Sequence, residues 1–310
     1  MSNKIKALSI ALAGIMTAAA LTSCGGEEVP GTPSLKNSVE ITLNGDTAAC
    51  EAQSVFITDD KISITQAGTY VITGTLNDGQ IYVDCVDAGE VILVLNNAVI
   101  TNDDSSCIFI KKAQSAEINM MEGTTNTLND GTSYVFDNPE ADEPDAAIFS
   151  KEDLVISGNG TLEVNGNYMN GIVSKDALII ESGNIVVKAA HHGIKGKDYL
   201  LVKGGSIDVN AVGDGLKSTN ADSELVGYVE ITGGDIKVYS EDEAIQAVSR
   251  ITFRGGTTAL TSTNNGLKCE NVIDFESGTI VINAQDVALD AVEIEMEDAS
   301  VTIDGDPYIA

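Results

Sequence analysis

The sequence predicts an all-β chain folded as a parallel β-helix, a solenoid with coils of about 22 residues. Three observations predict it. A small residue followed by Ile or Leu recurs at Gly171-Ile172, Gly193-Ile194, Gly215-Leu216, Ala244-Ile245, Gly266-Leu267 and Ala288-Leu289, in steps of 22, 22, 29, 22 and 22. A second marker, a small residue, one spacer and an aliphatic residue, moves with it through Gly160-Leu162, Gly183-Ile185, Gly205-Ile207, Gly234-Ile236, Gly278-Ile280 and Ala299-Val301. Each repeat also holds three short runs rich in β-branched residues with period-two alternation, as in ALIIE, NIVVKA and GIKGK within 176–197. The Leu/Asn consensus of a leucine-rich repeat is missing, and a propeller blade needs about 40 residues. A unit this short cannot bury its inner face alone, so its neighbours must stack on it.

The elements follow in chain order. Lys4 and Lys6 precede an apolar run, Ala7 to Leu21, and residues 1–23 read as a secretory signal. Leu21-Thr22-Ser23-Cys24 resembles the bacterial lipobox, which implies lipidation at Cys24; a plain signal peptide or an uncleaved anchor is the alternative. Residues 24–37 read as a flexible tether, and 38–310 as one elongated domain, with irregular coils and a cap over 38–145 and regular coils over 146–310. The protein is expected to be exported and lipid-anchored at the cell envelope or surface. An acidic excursion, DNPEADEPDA, interrupts the coils at 137–146, and NADSELVG at 220–227 accounts for the single long step.

Composition narrows the partners. The chain carries 47 Asp and Glu against 17 Lys and Arg, a formal charge of −30. Such a surface repels nucleic acid and anionic membranes, so membrane contact is expected only through the lipid anchor. Trp is absent and aromatics are 5%, so the core must be aliphatic. Cys50, Cys85, Cys107 and Cys269 show no CxxC spacing and argue against zinc; a Cys50–Cys85 bridge is left open.

If positions one repeat apart are neighbours, side chains form columns. Before each small residue stand Met169-Asn170, His191-His192, Gly213-Asp214, Asp242-Glu243, Asn264-Asn265 and Asp286-Val287. Asp214, Asp242 and Glu243 are candidate ligands for Ca²⁺, a hard cation that takes six to eight oxygens; a solvated stack of acidic turns is the alternative. A second acidic column, Glu152, Asp176, Asp198, Asn220, Ser249, Asn271 and Glu293, reads as turn-capping. After the marker aliphatic residue come Val173, Lys195, Lys217, Gln246, Lys268 and Asp290, which makes Lys195, Lys217 and Lys268 candidate sugar-binding cations beside the acids. His191-His192 lacks a third zinc ligand, and Tyr168, Tyr199, Tyr228 and Tyr239 read as surface or strand residues that could stack on sugars. No nucleophile–base pair, P-loop or G-x-S-x-G is present.

The stretch GIVSKDALIIESGNIVVKAAHHGIKGKDYLLVKGGSIDVNAVGDGLKSTN, followed by GYVEITGGDIKVYSEDEAIQA, resembles the bacterial carbohydrate-binding β-helix proteins over roughly 40–310, most sharply at 195–234. The resemblance implies a right-handed parallel β-helix, bound calcium, and adhesion to cellulose and polygalacturonate. It also implies similarity in fold to polysaccharide lyase family nine, whose members use a lysine base near calcium. The acidic-Gly phrase is intact at Asp214-Gly215 and altered to EDEA at 241–244. The expected function is a monomeric, surface-tethered, calcium-dependent polysaccharide binder without catalysis. The alternatives are a pectate-lyase-like enzyme with Lys217 or Lys195 as base, and an adhesive surface protein without a glycan ligand.

Overall fold

Alternation along each strand decides what faces inward. In Asn184–Ala189, Ser206–Ala211 and Asp235–Ser240, the pairs Ile185/Val187, Ile207/Val209 and Ile236/Val238 are buried, and the residues between them point out. Pairing is parallel and in register by whole repeats: Ile185 lies beside Ile207, and Ile207 beside Ile236. Like therefore stacks on like, and a single aliphatic core runs from Ile41 to Val301. Each such Ile, Leu or Val contributes roughly 1.5–3 kcal/mol relative to an exposed one. Phe253 and Phe275 stack inside it with centroids 5.3 Å apart. The computed structural model describes residues 33–58, 60–136, 138 and 140–309; Cys24, the signal and most of the tether lie outside the described residues.

The strands collect into two sheets, one of 19 strands and one of 11. The larger holds two parallel ladders. One runs through Leu154–Gly158, Ala177–Ile180, Tyr199–Val202 and Tyr228–Ile231, and the other through Thr161–Gly166 and its successors at 184–189, 206–211 and 235–240. The two fuse where Arg250–Ser262 and Val272–Ala284 pass through both as 13-residue strands, with a bulge around Arg254. The smaller sheet is built from Asn170–Ser174, Ile194–Gly196, Leu216–Lys217, Ile245–Gln246, Leu267–Lys268 and Leu289–Asp290.

The expected right-handed parallel β-helix, a solenoid with three separate strands and three sharp turns to each 22-residue coil, is corrected by this topology. Among the described residues, the strands form a closed, barrel-like enclosure of two sheets around one core. The physical reason lies at the turn between the first two strand signals. Its positive-φ glycines, such as Gly256 and Gly278, bend the chain without taking it out of the hydrogen-bonded sheet. Both ends of the described fold also carry antiparallel pairs. Thr42 pairs antiparallel with Ala49, Val55 with Ile64, and Thr302 with Pro307, so reversed strands lie at both ends of the chain.

The recurrent small residue has a steric cause. A Cβ on Gly215 would sit 2.1 Å from Val238 Cγ1 and 2.7 Å from the Ala244 carbonyl oxygen of the next level. Gly193 and Gly266 are as tightly held. Gly215→Ala should therefore destabilise the fold by about 1–3 kcal/mol, the usual cost of overpacking. A lowered denaturation midpoint with an unchanged slope would show this, and an unchanged midpoint would refute it.

Candidate functional site

The turn before each small residue carries a buried polar column in which four side chains each serve the level beyond. Asn170 Oδ1 accepts the His192 amide at 3.1 Å, His192 Nδ1 the Asp214 amide at 3.0 Å, and Asp214 Oδ1 the Glu243 amide at 3.2 Å. Asn265 Oδ1 accepts the Val287 amide at 3.2 Å. A parallel ladder leaves these amides without a strand partner at the turn, and an unpaired buried N–H is costly. The column thus has a structural task before any other. Because His192 Nδ1 accepts, the ring is neutral with its proton on Nε2. Burial and then the Lys217 charge hold its pKa down at about 3.

Within this column the acids converge. Among the described residues, one group of His, Cys, Asp or Glu could hold a metal ion: Asp214, Asp242 and Glu243, with an oxygen of each within 4.8 Å of the others. Asp214 is fully buried and Glu243 is 3% exposed. Burial, and then the neighbouring Asp242, raise the Glu243 carboxyl to about 7. Asp242 is held low, chiefly by the hydrogen bond from Glu243, and accepts Asn264 Nδ2 at 2.8 Å. A proton shared between the two is what three crowded carboxyls require at neutral pH.

The sequence places three lysines on the outer face of the smaller sheet, and the structure turns two of them onto these acids. Lys217 Nζ is 2.5 Å from Asp214 Oδ2, and Lys268 Nζ is 2.8 Å from Glu243 Oε1. Lys195 lies beside Lys217 in register, but burial lowers its pKa, with partial compensation from Asp145. Asp145 itself has a buried oxygen, Oδ1, without a hydrogen-bond partner, and its carbonyl takes Asn170 Nδ2 at 3.0 Å. Sequence reasoning missed Asp145. Its only signal was membership of the acidic excursion, which folds back over the start of the column.

The other candidates separate. The His191 and His192 rings touch each other, with centroids 3.7 Å apart, and join no metal-like group. In the corner column Asn220 Nδ2 bonds Asp198 Oδ1 at 2.6 Å and Asn220 Oδ1 accepts the Asp222 amide, while serines do comparable capping earlier, Ser150 and Ser174 accepting the amides of Glu152 and Asp176. Tyr199 stacks on Tyr228 at 5.0 Å, and Tyr168 on Tyr134 at 4.2 Å, so these rings pack on one another. Cys50, Cys85, Cys107 and Cys269 are free thiols, which corrects any pairing of Cys50 with Cys85.

A family model described as carbohydrate-binding domain-containing protein matches residues 58–306. A protein of that same description from Acetivibrio thermocellus is 39% identical over 189 residues, 60% of this chain and 66% of the relative. The match thus spans just under two thirds of that relative's length. A solved structure, the polysaccharide lyase-like protein from C. thermocellum as a gadolinium derivative, is 32% identical. It superimposes with a TM-score of 0.68 over 86% of this chain and 97% of the other.

Proposed function

The chain belongs to the carbohydrate-binding domain-containing protein family, and we propose that it is a surface-tethered, calcium-dependent polysaccharide binder that performs no chemistry on its ligand. The observation that carries this reading is the convergence of Asp214, Asp242 and Glu243 beside Lys217 and Lys268. An all-carboxylate donor set fits a hard, oxygen-seeking divalent ion and not a soft one. The lysines and the shared proton now balance the buried charge; an ion held by Asp214, Asp242 and Glu243 would replace them. Lys217 and Lys268 would then be free to reach outward. Their flexible stems place two cations on a face along which a polymer of acidic or hydroxyl-rich sugars can lie.

Retention on insoluble cellulose and on polygalacturonate gel, with calcium and with chelator, tests the reading. Calcium-dependent retention on at least one of them is expected. Equal retention with and without chelator would remove calcium from the account, and passage through every glycan tried would end the polysaccharide reading.

Lys195 favours a second reading. A lysine whose pKa is lowered by burial is a better base than a surface one. In a lyase, its Nζ would take the proton beside a uronate carboxylate while a carbon–carbon double bond forms and the glycosidic oxygen departs. The ultraviolet absorbance of the unsaturated product reports this directly. No product from polygalacturonate is expected. Product that disappears in Lys195→Ala would replace the first reading with the second.

A further inference from the structure

A cleft on the other half of the smaller sheet takes no part in the site above. Its floor is the outward side of the early strands. Tyr82 meets Phe109 edge-to-face at 5.4 Å, and Phe109 meets Phe149 at 5.5 Å. Its roof is formed by Val135, Phe136, Asn138, Ala141, Glu143 and Pro144, held down where the Val135 amide bonds the Asp104 carbonyl at 2.8 Å. The space between is about 430 Å³, within the roughly 300–1,000 Å³ usual for ligand cavities. Tyr82, Phe109 and Phe136 supply its apolar lining, and Asp60, Asp104 and Gln80 much of its polar lining.

Most of the polar groups ask for hydrogen-bond donors; Asn138, whose Oδ1 accepts the Glu140 amide, has its N–H₂ to donate. Gln80 Nε2 is committed to Ser105 Oγ and the Ser106 carbonyl, leaving its own carbonyl oxygen to accept. Among the described residues, the carboxylates of Asp60 and Asp104 have no hydrogen-bond or ion-pair partner. Glu143, at the rim, is already neutralised by Lys151 at 2.9 Å and by Lys175. The one lysine in the cleft, Lys61, is drawn over the Tyr82 ring at 4.8 Å. An anionic ligand would meet two uncompensated carboxylates. A ligand with an apolar face and a rim of hydroxyl donors would meet aromatic rings and free acceptors.

We propose that this cleft is a second glycan subsite, selective for uncharged sugar rings, which displace the Lys61 ammonium from the Tyr82 face, stack on Tyr82 and Phe136, and donate hydroxyls to Asp60, Asp104 and Gln80. This rests on the carbohydrate-binding reading and deepens it: acidic sugars go to the lysine face, neutral ones to the cleft. The cleft contains no group that needs calcium, so its binding is independent of the ion.

Titration calorimetry with cellohexaose, xylohexaose and mannohexaose in chelator, set against polygalacturonate in calcium, tests it on the whole domain. Binding of at least one neutral hexasaccharide is expected. Phe136→Ala and Tyr82→Ala should each weaken it at least about tenfold, the factor that 1.4 kcal/mol represents, and the near-isosteric Asp104→Asn should weaken it several-fold. Polygalacturonate binding should be unchanged in all three. If Tyr82→Ala unfolds, Phe136→Ala and Asp104→Asn decide alone, since neither side chain is part of the core. Neutral binding untouched by both variants would overturn the subsite, and so would a wild-type protein that binds polygalacturonate and no neutral oligosaccharide. The second result would leave the broader function standing.

Discussion

Asp214→Asn is expected to weaken the proposed calcium binding on the order of 100-fold, the upper end of what loss of even an outer-shell partner costs, and to destabilise the fold less than Asp214→Ala does. Asp214→Ala should abolish binding and also destabilise the protein by about 3–5 kcal/mol, the usual result of stranding one partner of a buried ion pair. The difference lies in what each variant leaves behind. Asn keeps an oxygen where Asp214 Oδ1 accepts the Glu243 amide at 3.2 Å, but its N–H₂ takes the place of Oδ2 and gives up the ion pair with Lys217. Ala leaves the Glu243 amide without a partner and Lys217, 17% exposed, beside an empty buried space. Calcium titration calorimetry and thermal unfolding on both variants separate the two roles. Wild-type calcium affinity in Asp214→Asn would remove this aspartate from the ion site and leave it as backbone support alone.

That double duty explains what could and could not be read in the chain. The repeat of 22 residues, with its one step of 29, was enough to bring Asp214, Asp242 and Glu243 together, because register in a parallel stack follows directly from sequence spacing. It was not enough to fix how the wall is assembled. Two strand signals separated by a positive-φ glycine read alike whether the chain leaves the sheet there or continues in it, and the fusion at 250–262 and 272–284 escaped notice. Side-chain direction was also hidden. Asn170, His192 and Asn265 are polar turn residues with no sequence signal for burial, yet all three are buried, because turn amides without strand partners draw them inward. Lys217 and Lys268 looked free for a ligand and are already paired. Tyr82 and Phe109, in strands twenty-odd residues apart, gave no periodic signal of the cleft they floor, since the excursion that roofs it occurs once.

Asp130 ties Tyr134, just before the excursion, to Asn167, and the stability of the fold should depend on pH through it. Asp130 lies 4% exposed at the end of Thr125–Asp130. Its Oδ2 accepts the Tyr134 hydroxyl at 2.6 Å, its Oδ1 the Asn167 amide, and its carbonyl Asn167 Nδ2 at 2.7 Å. Burial raises the carboxyl pKa from 3.8 to about 6, against the lowering effect of the Tyr134 hydroxyl and the backbone amides. A folded-state pKa above the unfolded one means that the native protein holds the extra proton between the two values. The contribution is complete below about pH 4 and is lost as pH rises through about 6, amounting to roughly 3 kcal/mol for a shift of about two units. Glu243 and Asp274, also raised, act in the same direction, so the wild-type slope is a sum. Asp130→Asn isolates one term, because an amide oxygen can still accept the Asn167 amide and no proton is taken up. The stability difference, wild type minus variant, should fall by about 3 kcal/mol between pH 4 and pH 7 in denaturant titrations. A difference that stays flat across that range would mean that Asp130 remains ionised in the fold, with the Tyr134 hydroxyl and the backbone amides outweighing its burial. The same titration bears on the cleft, since Tyr134 lies two residues before Phe136: tightening of neutral-glycan binding in Asp130→Asn at pH 7 would tie the anchor to the subsite, and unaltered binding would confine Asp130 to stability.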